Sequence, residues 1–540
     1  MSPQRLDRSV RGAAPLAAAL VLVGLLAAGC TQSPAAPAPP EVRTALAAAP
    51  SRSAVLDGTD SAELAVLASR AVWQSSPVAV AVASDDPEVL AQAAAEAADL
   101  AVPLFAVAAA DDAGSPAASQ SAAPGGPAGE PSASGGPSAS GPADPLPADD
   151  PGAVAGELDR LGVTHVLGVG AAPALGGVEV VSDPADLPEF EPAQPLAGVV
   201  ALTAPKAAAK GAEQVALASL AAAGVGAVEL TGADPRVSAE DVSAVAAADA
   251  DVLLGVGAGF GRDRVFAERV EAAATGVQLP GGGQTIFDGK RYVALYGHPL
   301  TNALGVLGEQ GPEASVARAA KVASSYAPYA DEQIIPAFEI IATVASGSAG
   351  TDGNYSNEWD IGVLAPLVDA AAESGTYVVL DLQSGRADFL SQAKKYRTLL
   401  RQPHVGLAMD PEWRLKPGQR PMAQIGSVSA AELNEAIDWL AELTAANDLP
   451  QKMVLLHQFR TDMITQRETL HLDHDELAVI VQMDGDGTMG QKLATWGALL
   501  ADAPDGLRFG WKNFYDEDEP TPSPATTFQV TPKPSWVSYQ

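Results

Sequence analysis

Short apolar runs alternate with stretches of helical periodicity along most of the chain. Val78–Ala83 is the first clear run. It ends on Ser84-Asp85-Asp86-Pro87, and Glu88–Leu100 then repeats its apolar positions at helical spacing before a second run, Val102–Val107. Further on, a helix is expected over Ala153–Leu161 and a strand over Val163–Val169. The theme returns as strand Gly198–Thr203, helix Ala207–Ala223, strand Gly226–Leu230, helix Ala239–Ala248 and strand Val252–Val256. Apolar strands separated by amphipathic helices predict a parallel sheet covered on both faces. The two halves close alike, on Leu167-Gly168-Val169-Gly170-Ala171 and Leu254-Gly255-Val256-Gly257-Ala258, which predicts an internal duplication.

A second rhythm begins after residue 285. Apolar runs stand at Tyr292–Leu295, Ile334–Ile341, Tyr377–Leu380, Val405–Met409, Met453–Leu456, Ala478–Val481 and Leu507–Gly510. Helical stretches lie between several of them, at Glu313–Tyr326, Ile361–Glu373, Ala387–Leu400, Ala430–Ala445 and Met489–Leu500. Seven or eight such units over about 250 residues match the span of a TIM barrel, with Ser535-Trp536-Val537-Ser538-Tyr539 placed to close it. A doubly wound sheet is the competing arrangement. The fold class expected is therefore α/β: a parallel α/β domain over 61–285, then a TIM-type (β/α) barrel over 286–540.

Composition restricts the partners. The 540 residues carry 66 Asp and Glu against 32 Lys and Arg, a formal charge of −34. Phosphate backbones repel such a chain, so nucleic acid is not an expected partner. Hydrophobic residues make up 47%, enough for large cores. Two low-complexity stretches stand apart. Residues 30–60, rich in Ala, Pro and Ser, read as a flexible tether. Residues 111–150, with Pro-Gly-Gly-Pro and Ser-Gly-Gly-Pro, read as a disordered insertion within a loop of the first domain, because almost nothing there buries apolar surface.

The N-terminus has the three parts of an export signal: Arg5, Arg8 and Arg11, then an apolar stretch from Gly12 to Gly29, then Cys30 and a polar continuation. Leu26-Ala27-Ala28-Gly29-Cys30 resembles the bacterial lipoprotein signal. That resemblance implies that 1–29 are removed, that Cys30 is acylated, and that the chain sits on the outer face of the cytoplasmic membrane, its partner being the lipid bilayer. Cys30 is the single cysteine, so no disulfide, zinc–thiolate site or catalytic thiol is available to the folded part.

A second resemblance lies in the first domain. Ala83-Ser84-Asp85-Asp86, Pro87-Glu88-Val89-Leu90 and Leu158-Asp159-Arg160-Leu161-Gly162-Val163-Thr164-His165-Val166 resemble the bacterial cell wall-binding repeat of type 2, which implies a cell-wall or other glycan as partner.

Several familiar chemistries are not supported. Gly255, Gly257, Gly259 and Gly261 do not meet the spacing of a dinucleotide-binding turn, and Gly281-Gly282-Gly283-Gln284-Thr285 lacks the lysine of a phosphate loop. No Gly-x-Ser-x-Gly elbow precedes a helix. His471-Leu472-Asp473-His474 has metal-ligand spacing, but its polar setting favours solvated loop histidines, so neither a metal nor another cofactor is expected.

In a barrel, chemistry sits where each strand meets its following loop. Those positions hold Tyr296 and His298, Glu339, Asp381 and Gln383, Asp410 and Glu412, His457 and Gln458, Asp484, then Trp511 and Lys512. Glu339 stands inside the apolar run Ala337–Ile341, where an unpartnered charge costs several kcal/mol, so a partner is expected. Acids flanked by aromatic rings suit sugars, whose hydrolysis needs one protonated carboxyl and a second anionic group. Asp410-Pro411-Glu412 puts two carboxylates on one side of an extended segment. It resembles the Asp-x-Glu end of the chitinase-like barrel signature, although Val405 and Ala408 replace that family's other acids. The resemblance implies Glu412 as proton donor and Asp410 as assisting group. Glu339 and Asp484 are the further catalytic candidates. The remaining rim residues, His298, Tyr296, Asp381, Gln383, His457, Gln458, Trp511 and Lys512, are expected to bind substrate. Two classes stay open: a glycoside hydrolase-like enzyme, and a non-catalytic glycan-binding lipoprotein with a degenerate barrel.

Overall fold

A computed structural model describes residues 42–108, 152–171, 173, 175–205 and 212–540. The export signal, Cys30 and the first part of the stretch read as a tether, up to residue 41, lie outside the described residues, as does the 111–150 insertion. From Arg43 to Gln540 the chain forms one compact unit. Among the described residues no helix is long and apolar enough to cross a membrane.

The N-terminal region contains two four-stranded parallel sheets. In the first the order is Leu104–Ala106, Val78–Ala83, His165–Gly170, Glu179–Val181. In the second it is Gly226–Glu229, Val199–Thr203, Val252–Val256, Ala54–Leu56. Val78–Ala83 and Val199–Thr203, the strands that open the two repeated units, each lie between the next two strands in the chain, so the internal repetition read from the sequence is matched by topology. Val78–Ala83 pairs with the strands on both sides of the 111–150 stretch, which puts that stretch inside one sheet's connectivity. The second sheet's fourth strand corrects the tether. Ala54-Val55-Leu56 is apolar, and it pairs in parallel with Leu254–Val256, which buries Val55 and Leu56 in the cores on the two faces of the sheet.

The C-terminal region is a closed barrel of eight parallel strands wrapped by helices. Its strands are β1 (Lys290–Gly297), β2 (Gln333–Ala345), β3 (Tyr377–Leu382), β4 (Val405–Met409), β5 (Lys452–Gln458), β6 (Leu477–Met483), β7 (Arg508–Asn513) and β8 (Trp536–Tyr539). Closure is made by β8, which pairs with both β7 and β1. The doubly wound alternative is thereby excluded.

Two apolar layers build the barrel. Residues such as Leu295, Phe338, Leu380, Leu407 and Leu456 point outward into the core shared with the helices. Tyr292, Ala294, Ile335, Ala337, Tyr377, Val379, Ala408, Met453, Leu455, Ile480 and Trp536 fill the inside. Gly406 is needed in that filling: a Cβ there would lie 2.5 Å from the Met453 carbonyl oxygen and 2.9 Å from the Tyr377 hydroxyl, which accepts a hydrogen bond from the Met453 N–H.

Candidate active site at the barrel mouth

Side chains alternate in and out along a strand. Stepping by two from the inner apolar residues, Ala294 leads to Tyr296, Ala337 to Glu339, Val379 to Asp381, Ala408 to Asp410 and Leu455 to His457. A polar layer therefore caps the apolar one at the C-terminal ends of the strands. All five are buried, Glu339, Asp381 and His457 fully so.

His457 is the hub. Its Nε2 donates to Glu339 Oε1 at 2.6 Å and its Nδ1 to Asp484 Oδ2 at 2.9 Å. Asp381 Oδ1 lies 3.9 Å from Nε2 and Asp410 Oδ2 lies 4.0 Å from Nδ1, so two carboxylates flank each ring nitrogen. Burial alone would push this imidazole towards its neutral form. The charges of Glu339, Asp381 and Asp410, with the Asp484 hydrogen bond, win and hold it well above the ordinary histidine range, as an imidazolium. This is the partner that the buried Glu339 requires.

The imidazolium does not offset all four acids, and two of them are held towards their protonated forms. Burial, opposed by His457 and reinforced by Glu339, brings Asp381 up to about 6. Burial and the neighbouring Asp381 and Asp484 hold Asp410 well above the carboxylate range against the pull of His457. Tyr296 donates to Asp381 Oδ2 at 3.0 Å and accepts from Gln383 Nε2 at 3.3 Å. Lys512 Nζ sits 3.6 Å from the centre of the Tyr296 ring. Three buried carboxylate oxygens here, Glu339 Oε2, Asp381 Oδ1 and Asp484 Oδ1, have no hydrogen-bond partner among the described residues. Such orphans mark places where a proton, water or ligand group is accommodated.

Glu412 is placed by Asp410. The backbone N–H of Glu412 donates to Asp410 Oδ1 at 3.0 Å, capping the single turn Pro411–Trp413. Its carboxyl is partly exposed and in no ion pair among the described residues, while desolvation and the negative charge of Asp484 bring it up to about 7. Arg386 and Arg414 do not neutralise the mouth: Arg386 donates to the Gln419 carbonyl and stacks on Tyr355, and Arg414 pairs with Glu432. With Leu415, Lys416 and Ser427 these two arginines line a separate cleft of about 480 Å³.

Other rim residues are engaged elsewhere. Trp511 packs against Trp496 and donates to Asn513 Oδ1, on the helix side of β7. Gln458 accepts from Arg467 and donates to the Arg460 carbonyl, organising the loop after β5. His298 lies against Trp359 and accepts from the Leu300 N–H.

A positioning pair escaped the sequence reading. Lys492 and Asp518 are fully buried at 2.8 Å. Lys492 also donates to the carbonyls of Gly485 and Lys512, and Asp518 accepts from the N–H groups of Gly487 and Phe514. Together they tie the loop bearing Asp484 to the end of β7. A lysine on a helix and an aspartate in an acidic loop carry no sequence signal of such a pairing.

Two groups place metal-ligand atoms within 4.8 Å of one another: Asp410, His457 and Asp484, and separately Asp438, His471 and His474. In the first the imidazole is itself the cation, donating from both nitrogens, which opposes a metal there.

The fold and the mouth define the class: a (β/α)8-barrel protein with an imidazolium–carboxylate cluster and one partly exposed carboxyl poised near neutrality. No protein-family model matches the chain, and no curated protein matches it in sequence.

Proposed function

We propose that the barrel is a glycoside hydrolase-like domain acting on cell-wall or environmental glycans, carried by a lipoprotein anchored through Cys30 to the outer face of the cytoplasmic membrane. The observation that carries the enzymatic reading is Glu412: accessible, unpaired, and still protonated near neutral pH. It is the proton donor to the glycosidic oxygen, the carboxylate of Asp484 stabilises the positive charge that develops on the sugar ring, and Asp410 positions Glu412 through its backbone N–H. The buried His457 imidazolium holds Glu339 and Asp484 in place and keeps the mouth from accumulating uncompensated charge. Tyr296, Gln383 and Lys512 are buried behind these acids and orient them: Tyr296 donates to Asp381, Gln383 donates to the Tyr296 hydroxyl, and Lys512 covers the Tyr296 ring.

The test is turnover of peptidoglycan fragments and chitooligosaccharides by the unit beginning at Arg43, wild type against Glu412→Gln. Loss of turnover with retained binding supports the assignment. Glycan binding with no turnover in the wild type decides for a non-catalytic binding barrel.

A further inference from the structure

The second histidine cluster lies at the other end of the barrel. His471 and His474 sit in the segment that leads into β6, and Leu477 at the start of that strand pairs with Lys452 at the start of β5. His457 is at the far end of β5, so five residues of strand, about 16 Å, separate the two places. Asp438 comes from the helix Ala430–Ala445, between β4 and β5.

The three side chains converge on one atom. His471 Nδ1 is 2.7 Å and His474 Nε2 is 2.8 Å from the same Asp438 Oδ1. The arrangement is held independently of those contacts. Asn434, one helical turn before Asp438, accepts from the His471 N–H and donates to the Thr469 carbonyl, and Leu472 packs on the barrel's outer core. The backbone carrying both rings is thus fixed before any ligand arrives, which is what a metal site requires. His471-Leu472-Asp473-His474 is not helical, so the shared face comes from this clamp and not from helix geometry.

The surroundings suit a cation. The cluster opens into a cleft of about 610 Å³ whose walls also carry Glu442, Asp473, Glu476 and Glu268, with Arg264 as the one basic group. Each histidine has a ring nitrogen directed at the aspartate, and each side chain is partly exposed, so a metal can enter and keep water in its remaining positions. Tetrahedral zinc with bonds of about 2.0–2.2 Å sets its ligand atoms about 3.3 Å apart. The two histidine–aspartate separations would open by about half an ångström. Two imidazoles and one carboxylate favour a borderline metal over magnesium or calcium.

We propose that Asp438, His471 and His474 form a binding site for a zinc-class divalent cation at the N-terminal end of the barrel, beside the seam with the N-terminal region. The site is independent of the reaction proposed for the mouth. Its place beside that seam gives it a structural role: Asp475, next to His474, bridges to Arg236 and Arg269 of the preceding region. A metal that fixes the loop also fixes this bridge.

Zinc chloride titrated into the metal-free full chain, with a competing chelator, tests the site. One equivalent is expected to bind and to raise Tm. The double substitution His471→Ala with His474→Ala should weaken this equivalent by more than the roughly 10–100-fold that loss of an outer partner costs. Asp438→Asn, which keeps the shape of the aspartate, should weaken it too, and Asp484→Asn should leave it unchanged. The side chains are on a surface cleft, and circular dichroism reports whether each variant folds. No uptake by the wild type, or unchanged uptake in the folded histidine variant, overturns the proposal.

Discussion

His457 Nε2 lies 2.6 Å from Glu339 Oε1, joining β5 to β2 across 118 residues of sequence inside a fully buried layer. Neither group is tolerable there alone. A buried carboxylate or imidazolium loses its hydration, and only a close partner of opposite charge restores a workable free energy. The pair is therefore the fixed centre around which the more weakly held acids are arranged.

The carboxyl of Glu412 sets the alkaline limb of activity. Held up to about 7, it carries its proton below that pH and loses it above, so turnover should fall roughly tenfold per pH unit on the basic side. Glu412→Gln cannot transfer a proton, and kcat should drop by two or more orders of magnitude with little change in glycan Kd. Steady-state kinetics between pH 5 and 9 check both; an unaltered basic limb in the variant would remove Glu412 from the mechanism.

Asp381 gives a stability signature with a definite sign. Its folded value of about 6 lies above that of an ordinary aspartate, so between pH 4 and 6 the folded state keeps a proton that the unfolded chain releases. Its contribution to stability is full below about pH 4 and is lost as pH rises to about 6, amounting to about 1–3 kcal/mol. Asp381→Asn should flatten that part of the curve while Tyr296 still finds an acceptor. Urea midpoints at half-unit pH steps give the slope.

The Lys492–Asp518 pair should behave as a buried unit. Lys492→Met leaves the Asp518 carboxylate buried without its cation and should cost about 3–5 kcal/mol. Replacing both, Lys492→Met with Asp518→Asn, should cost less than the sum of the single changes. A double-mutant cycle from chemical denaturation measures the coupling, and additive costs would show that the two groups act separately.

The proposed membrane attachment rests on Cys30. Cys30→Ala should abolish incorporation of a labelled fatty acid and leave the chain unprocessed or released. Normal acylation of that variant would end the lipoprotein assignment.

Strand alternation made much of this protein legible before folding. The spacing of apolar runs and helical stretches predicts a repeated parallel α/β region and a succession of seven or eight β/α units, because both depend on local periodicity; closure into a barrel rather than a doubly wound sheet is decided by the pairing of β8 with β1. The same alternation puts Ala337, Glu339 and Ile341 on one face, so an acid among apolar neighbours was visible as a problem needing a partner. Which partner was not visible. His457 and Gln458 are adjacent, as are Trp511 and Lys512, and adjacent residues on a strand face opposite ways. Only closure of the barrel decides that His457 and Lys512 turn inward while Gln458 and Trp511 serve loop and helix packing. Asp438 completes the second histidine cluster from a helix 33 residues before His471. The sequence by itself determined the elements and their faces, since these follow from local geometry; the tertiary structure decided the pairings, since a buried charge is defined by what the rest of the chain brings to it.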